Sequence, residues 1–331
     1  MAYDTQVLRR ATARYDEDRQ RREEELRARQ RACYVREPRL EQIDRELGRT
    51  MAKLIARGLR RGTDPRGAIE ALRDENLALQ RERGELLHTL GYPPDYLEPR
   101  PKCERCNDTG WGPDGKMCAC LRRYYAREQN AELSRLLDLG SQSFDTFRFD
   151  YYSREADPEQ GQSPYQRMEK NYDACRDYAY EFSPRSGNLL LSGDPGLGKT
   201  FLSASIARVV SEKGFSVVYD TAGHIFSRFE AAKFSRGDED DPAAVDVRRF
   251  LRCDLLILDD LGTEMTTALV QSALYELVNT RLLEKRKTII STNLNPDDLG
   301  RRYGAAMLSR LMGEYRVLPF FGEDIRRLKR R

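Results

Sequence analysis

The sequence predicts an α/β fold in which helices cover both faces of a parallel sheet. Short apolar runs alternate with helical segments along the second half of the chain, and such alternation is typical of parallel strands joined by helical crossovers. Two further observations favour a ligand site at one edge of this sheet: a glycine-rich loop follows the first run, and paired carboxylates end the third. The four runs are Asn188–Leu191, Phe215–Tyr219, Leu255–Leu258 and Lys287–Asn293.

The glycine-rich loop is Gly193-Asp-Pro-Gly-Leu-Gly-Lys-Thr200, which fits the P-loop pattern G-x-x-x-x-G-K-[ST]. A triphosphate needs backbone N–H donors at close range, a cation on its terminal oxygens and a hydroxyl on its Mg²⁺, and the loop, Lys199 and Thr200 supply these. An apolar run before the loop and an alanine-rich helix after it, Phe201–Ser211, argue against a chance glycine-rich turn. We therefore expect ATP and Mg²⁺ to be bound by Gly193, Asp194, Pro195, Gly196, Leu197, Gly198, Lys199, Thr200 and Phe201.

Two carboxylates end the third apolar run, in the order Leu-Leu-Ile-Leu-Asp259-Asp260. Nucleotides bind at the carboxyl ends of parallel strands, so both acids should face the P-loop. Asp259 is expected to hold Mg²⁺, directly or through water, and Asp260 to act as the general base that polarises the attacking water. Asn293 ends the fourth run and is a candidate to bind this water or the γ-phosphate; an ordinary turn before Asn295 is the alternative.

We place the α/β ATPase region at residues 183–331, and its other elements are predicted from composition. Thr266–Lys285 is expected to form a long helix, and the polar, acidic stretch Lys233–Asp246 a surface loop. His224 is isolated along the sequence, and we interpret it as a structural residue.

Residues 124–182 are interpreted as linker helices. Leu121–Leu139 and Tyr165–Phe182 have helical patterns, and Cys175 in the second is expected in the core. In ATPases of this general kind an aromatic stretch often crosses the adenine pocket, although the sequence alone shows only alternation. The aromatic residues between the two helices are Phe144, Phe147, Phe149, Tyr151 and Tyr152.

Residues 1–97 are predicted to form a helical region that binds a partner. Asp16–Arg31 is almost wholly charged and is expected to be a solvated helix. Two apolar helical faces follow, separated by a turn at Asp64-Pro65, and the second resembles a coiled-coil seam with two polar interruptions. A helical hairpin that packs only on itself is the alternative. The two faces are Ile43, Leu47, Met51, Leu54, Ile55 and Leu59, and Leu72, Asn76, Leu79, Arg83, Leu86 and Leu90.

Residues 98–123 carry four of the seven cysteines: a C-x-x-C pair, Cys103 and Cys106, and a C-x-C pair, Cys118 and Cys120. Four thiolates at this spacing suit tetrahedral Zn²⁺, and a site with no open position is structural; disulfides or unrelated thiols are the alternative. The surrounding basic and aromatic residues suit single-stranded nucleic acid, and solvated charges with packing rings explain them equally well. They are Lys102, Arg105, Trp111, Lys116, Arg122, Arg123, Tyr124 and Tyr125.

The composition limits the classes of protein that fit. With 331 residues, 39% hydrophobic and 34% charged, the chain has apolar material for one good core. A net charge of +3 gives no global basic field, so any nucleic-acid surface must be local. We find no apolar run long enough to span a bilayer and no signal-peptide pattern, and we therefore expect a cytoplasmic protein without a membrane partner.

The motifs also carry a family resemblance. GDPGLGKT, LLILDDLG and IISTN, in this order and spacing, resemble the Walker A, Walker B and sensor-1 features of AAA+ ATPases of the DnaC/DnaI helicase-loader group, with IstB transposition ATPases as close relatives. The cysteine module resembles that of DnaI-type loaders, and the resemblance covers about residues 100–331. Only 331 − 293 = 38 residues follow Asn293, too few for the helical lid of most AAA+ proteins, as this subgroup implies.

The resemblance implies a homo-oligomer in which an arginine of one subunit completes the site of its neighbour. Arg301, Arg302 and Arg310 are candidates, and we choose Arg310, although the arginine often seen early in the corresponding helix aligns near Ala305 or Ala306. Solvated charge is the alternative for each. The basic, amphipathic segment Phe320–Arg331 is expected to close the domain and to contact DNA phosphates.

These inferences lead to one function hypothesis and two alternatives. The hypothesis is an ATP-dependent loader of the replicative DNA helicase, which hydrolyses Mg-ATP and contacts single-stranded DNA during the initiation of replication, with the helical and zinc regions docking on the helicase. The first alternative is an IstB-like ATPase helper of a DNA transposase. The second is a zinc-stabilised nucleic-acid-binding adaptor whose ATP site is a conformational switch.

Overall fold

A computed structural model describes residues 3–49, 65–136, 142–234 and 241–328. The chain divides into two compact units, residues 13–118, and residues 119–331 together with residues 1–12. Among the helices within the described ranges, none combines the length and the apolar character that crossing a membrane requires. The predicted face residues Met51, Leu54, Ile55 and Leu59 lie outside the described ranges.

Helices make up most of the unit 13–118 ahead of its cysteine-rich end. They are α1 (Thr5–Arg36, whose first residues belong to the other unit), α2 (Pro38–Gly48) and α3 (Pro65–Thr89). The charged middle of α1 is largely exposed and carries ion pairs at helical spacing, such as Arg19 with Asp16 and with Glu23. Because such exposed pairs contribute little stability, the apolar contacts near the end of α1 hold this unit together.

The core of this unit lies where α1, α2 and α3 meet. Cys33, Leu40, Leu87 and Leu97 are buried together. On α3 the predicted Leu72 and Leu79 are buried, as is Leu87, whereas the predicted Leu86, and Leu90 just after the helix, are half-buried. The predicted polar interruption at Arg83 is satisfied, because its guanidinium donates to Asp44 at 2.7 Å and to the Pro94 carbonyl at 3.2 Å.

The second unit is built on a five-stranded sheet in the order β2-β3-β4-β1-β5, with every pairing parallel. The strands are β1 (Asn188–Gly193), β2 (Val217–Thr221), β3 (Leu255–Leu261), β4 (Lys287–Thr292) and β5 (Tyr315–Phe320). The sequence analysis missed β5, because exposed residues interrupt its buried ones and one of the exposed residues is Pro319. Proline is tolerated there because β5 is an edge strand.

Helices cover both faces of this sheet, as predicted. Alternate residues of a strand point to opposite faces, and on β1 Leu189 and Leu191 join one apolar cluster while Leu190 joins the other. The helices are α4 (Ala119–Leu136), α5 (Pro164–Tyr180), α6 (Lys199–Glu212), α7 (Ala222–Phe234), α8 (Pro242–Arg252), α9 (Ala268–Leu283), α10 (Pro296–Tyr303), α11 (Ala305–Glu314) and the short α12 (Ile325–Leu328).

The structure corrects two of the predicted segments. The predicted loop Lys233–Asp246 is wrong at its end, because Asp241 caps α8 by accepting from the Ala243 N–H at 2.7 Å. The helices interpreted as linkers pack in the same core as the sheet, with Leu133 of α4 and Cys175 of α5 buried alongside Leu189. The domain boundaries at residues 97, 123 and 182 remain predictions.

Candidate nucleotide-binding site

Glycines shape the loop between β1 and α6. Gly198 has φ +92°, and a Cβ there would lie 2.8 Å from the Tyr152 hydroxyl oxygen. Gly193 has φ +147°, and a Cβ there would collide with the backbone of Phe320 on β5. Glycine is therefore required at both positions, at Gly198 for the turn into α6 and at Gly193 for the close approach of the edge strand.

The ammonium of Lys199 is held inside this loop. Its Nζ donates to the carbonyls of Gly193 at 2.6 Å and Asp194 at 2.7 Å, and to Asn293 Oδ1 at 2.7 Å. Burial lowers the pKa of Lys199 to about 8, and the nearby carboxylate of Asp260 offsets part of this effect. Lys199 therefore presents a largely buried cation inside the loop, which suits an anionic ligand.

Three hydroxyls surround the buried carboxylate of Asp259. Thr200 Oγ1 donates to Oδ2 at 3.1 Å, the Tyr219 hydroxyl donates to the same oxygen at 2.5 Å, and Ser291 Oγ donates to Oδ1. Burial, followed by the charge of Asp259, raises the pKa of Tyr219, so its hydroxyl remains a donor at neutral pH. The hydroxyl of Thr200 and the carboxylate of Asp259 are hard oxygen donors, so this pair fits Mg²⁺.

Asp260 has a backbone conformation that few residues adopt. Its φ is +56°, in the left-handed region that aspartate and asparagine tolerate better than most side chains. Its N–H donates to Ser291 Oγ at 2.9 Å, and its side chain lines the cavity described below. Burial, and then the charge of Asp259, raises the pKa of Asp260 above that of an exposed aspartate. A raised pKa is the change that suits a carboxylate to accept a proton.

A cavity of about 480 Å³ opens along the P-loop. This volume lies in the range of small-molecule sites. The residues that line the cavity form two chemically different parts. One part is polar and suits phosphates, while the other is aromatic and suits a planar base. The polar part contains Lys199, Thr200, Asp260 and Asn293, and the aromatic part Phe147, Tyr151, Tyr152 and Phe201.

The predicted P-loop residues have different positions around this cavity. Pro195 to Phe201 line it, as do Asp260 and Asn293. Gly193 and Asp194 instead offer their carbonyls to Lys199. Three of the aromatic residues from the predicted stretch, Phe147, Tyr151 and Tyr152, also line it.

The sequence analysis missed several further residues of the site, among them Tyr219, Ser291, Ile325 and Arg326. Tyr219 and Ser291 lie inside apolar strand runs, where nothing in the sequence distinguishes them from core residues. Ile325 and Arg326 line the cavity, and the Ile325 N–H donates to the Gly196 carbonyl at 3.1 Å. The basic composition of the C-terminal segment was a signal, which the sequence analysis assigned to DNA phosphates.

The three candidates for an arginine that acts on a neighbouring subunit do not line the cavity of their own chain. They are Arg301, Arg302 and Arg310. Arg301 pairs with Asp298, and Arg302 donates to the backbone carbonyl of Glu264. The Arg310 guanidinium lies 4.5 Å from the centre of the Tyr275 ring and donates to Asn279 Oδ1 at 3.2 Å. Arg302 and Arg310 both lack a carboxylate partner among the contacts that the structure describes.

The four predicted metal ligands come together. The sulphurs of Cys103, Cys106, Cys118 and Cys120 all lie within 4.8 Å of one another, and none is in a disulfide. Four sulphurs at about 2.3 Å from one ion lie about 3.8 Å apart in a tetrahedron. Cys103 Sγ and Cys118 Sγ are 3.8 Å apart, so the cluster fits a tetrahedral metal ion.

The aromatic residues around this cluster differ in exposure. Trp111 is 37% exposed, whereas Tyr125 is fully buried and its hydroxyl accepts from the Asp4 N–H at 3.0 Å. Tyr125 therefore cannot stack on a nucleic-acid base, and that part of the predicted surface is wrong.

A parallel sheet, a P-loop, a buried lysine and a pair of carboxylates at the strand ends define this unit as a P-loop NTPase domain. Residues 173–331 match the family described as IstB-like ATP binding protein. The replicative helicase loader DnaC of Escherichia coli strain K12 is 26% identical over 137 residues, which are 41% of this chain and 55% of the loader. Residues 173–331 are therefore similar to DnaC/IstB-like AAA+ ATPases, and the resemblance inferred from the motifs is confirmed.

Two other relatives extend the comparison. An insertion-sequence ATP-binding protein of Sinorhizobium fredii is 32% identical over 109 residues, which are 33% of this chain and 35% of that protein. A crystal structure of the DnaC helicase loader aligns with a TM-score of 0.45 at 20% identity, over 56% of this chain and 99% of that chain. The chain spans about half the length of the curated loader that it matches.

Proposed function

We propose that this protein is an ATP-dependent loader of a replicative DNA helicase, which hydrolyses Mg-ATP and contacts single-stranded DNA. The observation that carries the proposal is the constellation of Lys199, Asn293 and the Asp259–Asp260 pair around one cavity, in a domain similar to a replicative helicase loader. The four-cysteine cluster upstream adds support, since the sequence resemblance links such a module to DnaI-type loaders.

The proposed chemistry assigns one role to each polar residue of the cavity. Lys199 exchanges its carbonyl partners for the terminal phosphates, and Thr200 and Asp259 hold Mg²⁺, which when bound neutralises charge on the β- and γ-phosphates. Asp260 accepts a proton from the attacking water, and Asn293 orients that water or the γ-phosphate. The raised pKa of Asp260 and the 2.7 Å contact between Lys199 and Asn293 support these roles.

The cysteine cluster is proposed to bind one structural Zn²⁺. Four thiolates fill all positions of a tetrahedral ion, which leaves no site for a substrate. Asp108, within the loop that the cysteines close, accepts from the backbone N–H groups of Lys102 at 3.0 Å and Cys103 at 2.9 Å, so the turn is also held by the chain itself. The helical and zinc regions are proposed to dock on the helicase.

Two alternatives are kept, and the first has support of its own. The match to IstB-like ATP binding proteins and the 32% identity to an insertion-sequence ATP-binding protein favour a helper of a DNA transposase. An adaptor that binds ATP without turnover is the second alternative. Replacing Asp260 tests it, because asparagine tolerates the same positive φ and removes only the base.

Hydrolysis is tested with D260N. We expect ATP binding to remain and hydrolysis to fall by about 10²- to 10⁴-fold, the usual contribution of a general base. Asp246 lies outside the cavity and pairs with Arg228 at an N–O distance of 2.7 Å. The variant D246N is therefore the control and should keep wild-type turnover. If the wild type, with single-stranded DNA present, hydrolyses ATP no faster than D260N, the protein is an adaptor that binds ATP and not an ATPase.

The loader is tested by co-purification with the replicative helicase of the host, in ATP and in ADP. A stable complex of the full-length chain, which responds to the nucleotide in wild type but not in K199A, supports the loader. Absence of a complex in both nucleotides, with a transposase captured in the same assay, supports the transposition helper.

A further inference from the structure

Gln142 contributes an unusual polar group to the nucleotide cavity. Gln142 is one of the residues that line the cavity, together with Thr146 and Phe147. Its carbonyl oxygen Oε1 is buried, and among the described residues no donor reaches it. A buried acceptor without a donor destabilises the fold, so an unpartnered carbonyl at a binding cavity points to a ligand that brings the donor.

The other polar groups in this part of the wall already have partners. The Tyr152 hydroxyl donates to the Leu197 carbonyl at 3.1 Å. The Thr146 hydroxyl lies 3.1 Å from the Ser143 carbonyl, to which it donates. The Arg148 guanidinium pairs with Asp150 and lies 4.8 Å from the centre of the Tyr151 ring. Of the side-chain groups named here, Gln142 Oε1 is the one without a partner among the described residues.

The aromatic rings beside Gln142 favour a planar ligand. Phe147 and Tyr152 stack with their ring planes 14° apart and their centroids 5.9 Å apart. Phe147 also meets Phe201, the residue after the P-loop Thr200, at a centroid distance of 5.4 Å. The rings thus adjoin the loop that would hold the phosphates, where the base of the same nucleotide would lie.

We propose that Gln142 Oε1 accepts a hydrogen bond from the exocyclic amine of adenine, and that this contact selects ATP over GTP. Guanine carries a carbonyl oxygen at the corresponding ring position, which offers Oε1 no donor, so the side-chain amide would have to turn over to present its NH₂ group. The inference rests on the proposed binding of ATP and adds the residue that distinguishes one nucleotide from another.

The test compares three nucleotides with the full-length chain: ATP, GTP and purine ribonucleoside triphosphate, which lacks the exocyclic amine. Wild type should bind ATP about 2- to 12-fold more tightly than the purine analogue, the range for one net hydrogen bond, and should bind GTP more weakly than ATP. Q142A should bind ATP as weakly as the analogue, with its affinity for the analogue unchanged. Q142E keeps an acceptor and should keep the preference for ATP.

Gln160, on an exposed turn away from the cavity, provides the matched control Q160A, which should behave as wild type. Equal binding of ATP and the analogue by wild type would overturn the inference, as would tighter binding of GTP. A Q142A variant that loses affinity for ATP and the analogue equally would identify Gln142 as a packing residue. If wild type binds none of the three nucleotides, the proposed ATP site fails and the inference fails with it.

Discussion

The charge on Lys199 depends on pH in the range where the protein would be assayed. The pKa of Lys199 is lowered to about 8, chiefly by burial, so the ammonium loses its proton as the pH rises through that value. A bound triphosphate stabilises the charged form and raises the pKa again, so binding of ATP above pH 8 must take up a proton.

We therefore predict that ATP affinity falls by up to about tenfold per pH unit above about pH 8, where the free site is neutral and the bound site charged. Calorimetry at pH 8.5 in buffers of different ionisation enthalpy should report uptake of most of one proton, and at pH 7 only a small fraction. K199M should show no uptake attributable to this site. Wild type that binds ATP at pH 8.5 without taking up a proton would contradict the assignment.

Tyr219 contacts Asp259, the proposed magnesium ligand. Its hydroxyl donates to Asp259 Oδ2 at 2.5 Å, so Y219F removes one of three hydroxyls that orient the carboxylate. Loss of such an orienting partner usually costs about 10- to 100-fold in metal affinity or activity. We predict that the Mg²⁺ concentration for half-maximal hydrolysis rises at least tenfold, while ATP binding without Mg²⁺ is unchanged.

The matched control is Y178F, since the Tyr178 hydroxyl donates to the Gly187 carbonyl at 3.1 Å outside the cavity. It should have the Mg²⁺ dependence of wild type. An unchanged Mg²⁺ dependence in Y219F would mean that Thr200 and Ser291 alone position Asp259.

At the scale of elements, one buried guanidinium ties α9 to the segments that enter β3 and β4. Arg281 is fully buried. Its donors reach Thr288 Oγ1 at 2.9 Å and the carbonyls of Phe250, Leu251, Cys253 and Lys287 at 2.6, 3.2, 3.1 and 2.5 Å. The end of α8, Cys253 after it and the start of β4 therefore converge on a single side chain.

We predict that R281M lowers the free energy of unfolding by about 3–5 kcal/mol, because it leaves several buried carbonyls without donors. Denaturant titration of the full-length chain measures this change. Arg208 pairs with Glu212 on the exposed face of α6, so R208M should cost less than about 1 kcal/mol. Equal stabilities of the two variants would show that water replaces the guanidinium.

The cysteine cluster should lose its local fold when its metal is removed. The single tryptophan, Trp111, lies between the two cysteine pairs, and its backbone bridges to Met117. We predict about one Zn²⁺ per chain, and a shift of Trp111 fluorescence to longer wavelength when a chelator removes it, since little apolar surface holds this loop. C106S should bind no Zn²⁺.

C33A provides the comparison, because Cys33 is buried among α1, α2 and α3 and is not one of the four ligands. It should keep its metal. If the purified chain contains no zinc and Trp111 fluorescence does not respond to the chelator, the four thiols have another use.

Elements whose signal is local were predictable from the sequence. The P-loop, the Asp259–Asp260 pair and Asn293 each follow an apolar run, and parallel strands bring their carboxyl ends to one edge, so sequence order predicts their proximity. Tyr219, Ser291 and Gln142 carry no such signal, because their roles depend on what folds against them. The pairing of edge strand β5 with β1 and the contact between Ile325 and Gly196 likewise join residues that are far apart in the sequence.

At the scale of the whole molecule, the proposed assembly depends on a residue that does nothing in its own cavity. Arg310 lies beside Tyr275 and Asn279, and the cavity of its chain is lined without it. A cation-aromatic contact of this kind is worth only about 0.5–1 kcal/mol at an exposed site, so the guanidinium can leave Tyr275 for a phosphate of a neighbouring subunit at small cost.

We predict that R310A lowers ATP hydrolysis by on the order of 10³-fold, the usual contribution of an arginine supplied in trans, without weakening ATP binding. K199A should also be inactive, yet a mixture of the two variants should recover a measurable fraction of wild-type activity. Mixed assemblies contain interfaces that join an intact P-loop on one chain to Arg310 on the other, and only a residue acting in trans gives this rescue. R301A, which loses an exposed pair with Asp298, should hydrolyse ATP like wild type. An inactive R310A that K199A does not rescue would assign Arg310 to the packing of α9 against α11.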